Sequence, residues 1–191
     1  MLRLKVCTSL LMLAFALGSQ AQKFEREVKI NAAAVPPAAK SFIDSCGLSK
    51  VRWVLELSQQ GISYEAKATS ESKKRFSIEF DTVGNVQDVE LLMKWKTVPS
   101  GPRLKIENTL QRLFKRHKVI KTQKQWQSDR STLLNLVRED GIVDIADASY
   151  ELIVRANDNG KVQLYELLLD AQGDLLRQDI VVSDHADNLE F

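Results

Sequence analysis

Few residues in this 191-residue chain are of a type that does chemistry, and their spacing argues against most of it. Cys46 falls with Ala39, Phe42 and Ile43 at i, i+3, i+4 and i+7, one apolar helix face. That placement predicts a buried, inert thiol. A nucleophilic cysteine would want a histidine beside it, and His117 belongs to the other half of the chain. Ser183, Asp184 and His185 are the residue types of a hydrolase triad. Triads, however, are assembled by a rigid fold rather than by neighbours in a polar tail. Two distant histidines do not make a zinc site. Glu139, Asp140, Asp144 and Asp147 cluster without the spacing or closing glutamate of a calcium loop, and read as a solvated segment. The expectation is a chain with no catalytic residue, no cofactor and no metal site, hence not an enzyme.

Charge offers one further candidate. Arg103–Lys124 holds Arg103, Lys105, Arg112, Lys115, Arg116, Lys118, Lys121 and Lys124 against the single acid Glu107. The plain reading is a solvated helix face. The sharper one is a contact surface for lipid headgroups, lipopolysaccharide or an anionic glycan, with Arg112, Lys115 and Arg116 foremost. Trp53, Trp95 and Trp126 fall on strand patterns and read as core.

The elements that position these residues follow a repeated order. Ser63–Leu92 reads as three short strands, and Ser149–Val182 returns to the same pattern. Ser63-Tyr64-Glu65 matches Ser149-Tyr150-Glu151, and the turn Asp81-x-x-Gly84 matches Asp170-x-x-Gly173. Both turns call for a glycine at positive φ beside an aspartate that bonds backbone N–H groups. Phe76, Ile78 and Phe80 alternate with Ser77 and Glu79, the mark of a sheet apolar on one face and polar on the other. Lys23–Ile30 reads as an edge strand. Pro-led helices are expected over residues 37–46 and 103–117, and a short one over Ser131–Arg138 inside an insertion, residues 127–148. Leu92, Leu164 and Leu168 stand on faces otherwise written in charge, which makes them candidate contact residues.

The first 21 residues have a different logic. Arg3 and Lys5 precede the apolar run Leu10–Leu17, and Ser19-Gln20-Ala21 is a small-x-small site, together an export signal cleaved between Ala21 and Gln22. The run is too short for a spanning helix, and no second one follows, so no transmembrane segment is expected in the mature chain. No cysteine follows it either, so a lipoprotein is not expected. Cleavage leaves 25 basic and 25 acidic side chains, with Cys46 the one thiol. Zero net charge and an export signal disfavour nucleic acid as a partner.

Four stretches together resemble the PepSY-like exported proteins of Gram-negative bacteria, also called β-lactamase-inhibitor-like for their fold. They are Pro37-Ala-Ala-x-x-Phe-Ile43, Val51-x-Trp-Val54, Gly61-Ile-Ser-Tyr-Glu-Ala-Lys67 and Ser77-Ile-Glu-Phe-Asp-x-x-Gly-Asn85. The resemblance covers residues 36–97 well and 98–182 weakly. It implies an α+β fold of two tandem repeats, residues 22–97 and 98–183, each a helical segment on one face of a small antiparallel sheet, with a polar tail over 184–191. It also implies a secreted or periplasmic address. Read together, residues and resemblance predict an exported, non-catalytic binding or inhibitory module whose partner is an exported protein or peptide.

Overall fold

The structure, a computed structural model, describes residues 21–58, 61–142, 148–158 and 160–182. Strands dominate: β1 (Ala21–Ile30), β2 (Ser49–Ser58), β3 (Gly61–Thr69), β4 (Arg75–Phe80), β5 (Val86–Met93), β6 (His117–Trp126), β7 (Ser149–Asp158), β8 (Lys161–Asp170) and β9 (Leu175–Val182). Three helices punctuate them: α1 (Pro37–Cys46), α2 (Ser100–Leu113) and α3 (Arg130–Arg138).

The expected α+β architecture, two small sheets each under its own helical segment, is overturned. The nine strands pair in sequence order into one continuous sheet, and β1 closes it against β9 as a barrel. Every pairing is antiparallel except β1 with β9, which runs parallel. The physical reason is the treatment of edges. Two separate sheets would each expose unpaired N–H and C=O rows. Instead Val89–Met93 of β5 pairs with Thr122–Trp126 of β6, fusing the two strand sets. Lys23–Ile30 is not an edge either, since β1 bonds β2 on one side and β9 on the other. Trp95, expected on a strand, lies in a short 3-10 turn over Trp95–Thr97.

The helices sit on the outer, apolar face. Pro37 starts α1, and Gly47 ends it at φ 71°. Ala39, Phe42, Ile43 and Cys46 are buried against Trp53, Phe76, Ile78 and Phe80, with Phe42 edge-on to Phe80 at 5.7 Å. Beneath α2, Ile106 and Leu110 join Phe114, Tyr150, Leu152, Tyr165 and Leu167 in a second cluster. The insertion supplies α3, whose Asp129 cap accepts from the Ser131 and Thr132 N–H groups. Leu133, Leu136 and Val137 of α3 complete the first cluster rather than the second, and Arg138 donates to the Ser45 carbonyl at 2.9 Å. The insertion thus folds back over the first strand set.

The two Asp-x-x-Gly turns are near copies. Asp81 Oδ1 accepts from the Val83 and Asn85 N–H groups, and Asp170 Oδ1 from those of Gln172 and Asp174. Gly84 has φ 90° and Gly173 φ 80°. Each turn glycine presses on the first turns of its helix, Gly84 on Pro36 and Ala38–Ala39, Gly173 on Lys105–Ile106.

Candidate functional site: a charged barrel interior

Because side chains alternate along a strand, the face opposite the helices becomes the barrel lumen. Register places Glu27 of β1, Glu65 and Lys67 of β3, Ser77 and Glu79 of β4, Asp88 and Glu90 of β5, Lys121, Gln123 and Gln125 of β6, Glu151 of β7, Glu166 of β8, and Arg177 and Asp179 of β9 on this inner wall. The sequence suggests a wet face. The structure shows a largely enclosed one: Asp88 is 5% exposed and Gln123 1%.

Two cations organise most of the acids. Lys67 Nζ lies 3.0 Å from both carboxylate oxygens of Glu27 and 3.3 Å from Glu65. Arg177 reaches Glu166 at 2.7 Å, Asp179 at 3.2 Å and Glu151 at 3.7 Å. Burial works against both charges, yet the facing carboxylates win and hold Lys67 and Arg177 above their ordinary pKa values.

Between these clusters lies a carboxylate group served mainly by amides. Gln125 Nε2 donates to Asp88 at 3.2 Å and to Glu90 at 3.3 Å, and Gln123 Nε2 donates to Glu90 at 2.5 Å. Asp88 stands directly opposite Glu79 on the neighbouring strand, and a second carboxyl group so placed disfavours the charged form of Asp88. Burial first, then Glu79, Glu151 and Glu65, push Asp88 well above the usual carboxylate range. Burial, then Glu151 and Asp88, do the same for Glu90. Glu65 is also raised, burial outweighing Lys67. Lys121 on β6 favours the charged form of Glu65, three strands away on β3, as well as that of Glu90. The opposite walls therefore sense each other across the lumen. Gln123 Oε1, buried beside Glu90, has no hydrogen-bond partner.

The residues singled out from the sequence are dispersed over this frame. Leu92, Leu164 and Leu168 are half-buried on the lumen wall, Leu168 opposite both Glu151 and Arg177. The basic stretch does not form one surface. Arg103 donates to the Lys96 carbonyl and Arg112 to Thr109, Lys105 bonds Gln172, Lys121 faces inward, and Lys124 lies over the Trp126 ring. Lys115 and Arg116 are exposed between α2 and β6. Trp53 and Trp126 are core, while Trp95 is half-buried against the second cluster. Asp81, Gly84, Asp170 and Gly173 build the two turns described above. Ser183, Asp184 and His185, together with Asp144, Asp147 and residues 1–20, lie outside the described residues; the backbone of Ala21 and Gln22 belongs to β1. Among the described residues no group of three His, Cys, Asp or Glu is arranged to hold a metal ion, and no helix is long and apolar enough to cross a membrane.

Cys46 is buried, and loss of solvation pushes its thiol up to about 12 against the weaker pull of Arg138 and Arg130. Native protein is expected to react with a thiol reagent far more slowly than urea-unfolded protein at pH 8. Equal labelling rates in the two states would overturn this placement.

The lumen carboxylates were not singled out from the sequence. Their signal was there, in Glu65, Glu79, Asp88, Glu90, Glu151 and Glu166 all falling on the polar side of strands that neighbour one another.

No protein-family model matches the chain, and no curated protein does. Solved structures do. A protein from Bacteroides eggerthii, whose name places it provisionally in the periplasm, matches 76% of this chain and 88% of its own at 13% identity and TM-score 0.50. A BLIP-like protein from Bacteroides fragilis matches 81% of this chain and 94% of its own at 13% identity and TM-score 0.48. Identity this low speaks to the fold alone.

Proposed function

We propose that the chain is an exported, non-catalytic module that binds, and in doing so can inhibit, another protein or peptide of the cell envelope. The observation that carries this reading is the distribution of exposed apolar side chains. Among the described residues eight large hydrophobics are exposed; besides Leu113, Ile142 and Val162 they are Ile62, Val83, Leu104, Leu175 and Leu176, of which all but Leu175 are more than half exposed. These last five lie at one end of the barrel. Ile62 begins β3, Val83 sits in the first Asp-x-x-Gly turn, Leu175 and Leu176 begin β9 just after the second, and Leu104 adjoins the Lys105 backbone on which Gly173 packs. A rim of aliphatic groups on turns held by packed helices is a preformed surface for a protein partner. Sheet-edge addition is not available to a partner along this barrel, because each strand is paired on both sides. Leu92, Leu164 and Leu168 enter the proposal only as groups that a partner segment would meet inside the lumen.

The export pattern of residues 1–21 and the periplasmic name of the Bacteroides eggerthii neighbour support the address. The test is capture of partners from envelope extract by the mature chain and by Ile62→Asp/Leu176→Asp, with circular dichroism confirming that the variant folds. Partners held by the wild type and lost by the folded variant are expected. Identical capture by both would refute the rim, and turnover of an envelope substrate would refute the non-catalytic reading.

A further inference from the structure

We infer that the end of the barrel away from the apolar rim, where β7 ends and β8 begins, docks on the surface of an acidic phospholipid bilayer. The basic stretch is dispersed as a whole, but its middle part joins a hairpin from elsewhere in the chain. Lys118 of β6 stands directly opposite Arg155 of β7, and Arg155 opposite Leu164 of β8. The Asn157 N–H donates to the Arg116 carbonyl at 3.1 Å, and Asn157 stands opposite Val162. Residues two apart share a face of a strand, so Val162 flanks Leu164 on the side that carries Arg155. The α2–β6 connection and the β7–β8 hairpin therefore present one surface, spread over three neighbouring strands and about 10 Å wide.

Three features of this surface go beyond what the fold requires. Like charges directly opposite each other on a strand pair are destabilising, yet Lys118 and Arg155, both exposed, are so placed. Lys115, Arg116, Lys118 and Arg155 make no ion pair or side-chain hydrogen bond among the described residues, and Glu107, the single acid of the stretch, is taken by His117 at 3.3 Å. Beside these cations stand aliphatic groups that face water, Val162 at 62% exposure near the start of β8 and Leu113 at 39% at the end of α2. A solvated charged face accounts for the cations alone. It does not account for opposed cations flanked by exposed aliphatic groups.

The chemistry that matches these groups is a plane of phosphates over hydrocarbon. Arginine presents a planar fork of donors to phosphate oxygens, and lysine adds a point charge. Cations so grouped are drawn to an anionic leaflet, and an aliphatic side chain among them reaches the boundary between headgroups and acyl chains. A protein partner would be held best by an aromatic anchor, and none of the exposed large hydrophobics among the described residues is aromatic. This surface and the apolar rim lie at opposite ends of the barrel, so either reading can fail without the other.

Sedimentation of the mature chain with lipid vesicles tests the assignment. Binding to vesicles of equal parts phosphatidylglycerol and phosphatidylcholine is expected, weakening as salt is raised, and far weaker binding to pure phosphatidylcholine. Lys118→Gln/Arg155→Gln is expected to bind the acidic vesicles about tenfold more weakly or worse, with a melting temperature no lower than that of the wild type. Val162→Ser is expected to lose affinity as well, with its charge unchanged. Ile62→Ser/Leu176→Ser, at the other end of the barrel, is expected to bind as the wild type does. No sedimentation with the acidic vesicles, equal binding to pure phosphatidylcholine, unchanged affinity in Lys118→Gln/Arg155→Gln or in Val162→Ser, or loss that follows Ile62 and Leu176 instead would each overturn it. Poly-L-glutamate bound more tightly than the acidic vesicles would overturn it too, by assigning the surface to an acidic protein segment.

Discussion

Replacing Gly173 with alanine is expected to destabilise the protein by about 2–4 kcal/mol, more than the same change at Gly160. Both glycines hold positive φ, 80° and 86°. A left-handed backbone costs a residue with a Cβ about 1–2 kcal/mol at either site. What differs is the space around it. A Cβ at Gly160 meets nothing within 4 Å, whereas one at Gly173 comes within 2.6 Å of the Lys105 carbonyl carbon and 2.8 Å of its oxygen. Backbone cannot swing aside as a flexible side chain can. Either α2 retreats from the turn, loosening Ile106 over Leu167 and the Thr109 hydroxyl on the Gly173 carbonyl, or the turn itself opens. Gly84 is in the same position against α1, with Ala39 N at 2.8 Å, and Gly84→Ala should behave alike. Urea unfolding of the three variants gives the comparison. If Gly173→Ala and Gly160→Ala lose equal stability, the close packing of turn on helix contributes nothing.

Those turns were legible in the sequence, and the reason is local. Asp81 and Gly84 bring their own hydrogen bonds and backbone requirements within five residues, and Asp170 and Gly173 repeat them. Strands were legible for a similar reason, since alternation in Phe76–Phe80 needs no distant partner. What did not show was the assembly. Whether β5 ends a sheet or continues into β6 depends on pairings across the helix and linker between them. Closure by β1 depends on residues more than 150 positions apart. Alternation also says which side is polar without saying whether water reaches it. Ser77, Glu79, Asp88 and Glu90 look the same in sequence on an open sheet and in a closed lumen.

The enclosed lumen gives the protein an unusual pH dependence. Most folded proteins hold some carboxylates below their unfolded pKa and lose that stability in acid. Here Asp81, Asp129 and Asp140 are of that ordinary kind, lowered by hydrogen bonds to neighbouring side chains or backbone, and their contribution is lost only as pH falls below the unfolded value of about 4. Asp88, Glu90 and Glu65 are raised, so the folded state binds protons more tightly than the unfolded chain does. The sign is then the reverse: their contribution is full below about pH 4 and is lost as pH rises through the folded values. Between about pH 5 and pH 8 the melting temperature is expected to fall as pH rises. Asp88→Asn should remove much of this slope. Its side-chain oxygen still accepts from Gln125, and one charge leaves a buried acidic cluster opposite Glu79. At pH 8 the variant is expected to be more stable than the wild type by about 1 kcal/mol or more, roughly 2–4 °C per kcal/mol for a chain of this size, and near wild-type stability at pH 5. Thermal unfolding across that range decides it. A wild-type melting temperature that rises from pH 5 to pH 8, or an Asp88→Asn variant that is less stable at pH 8, would mean that water solvates these carboxylates and that the lumen is open.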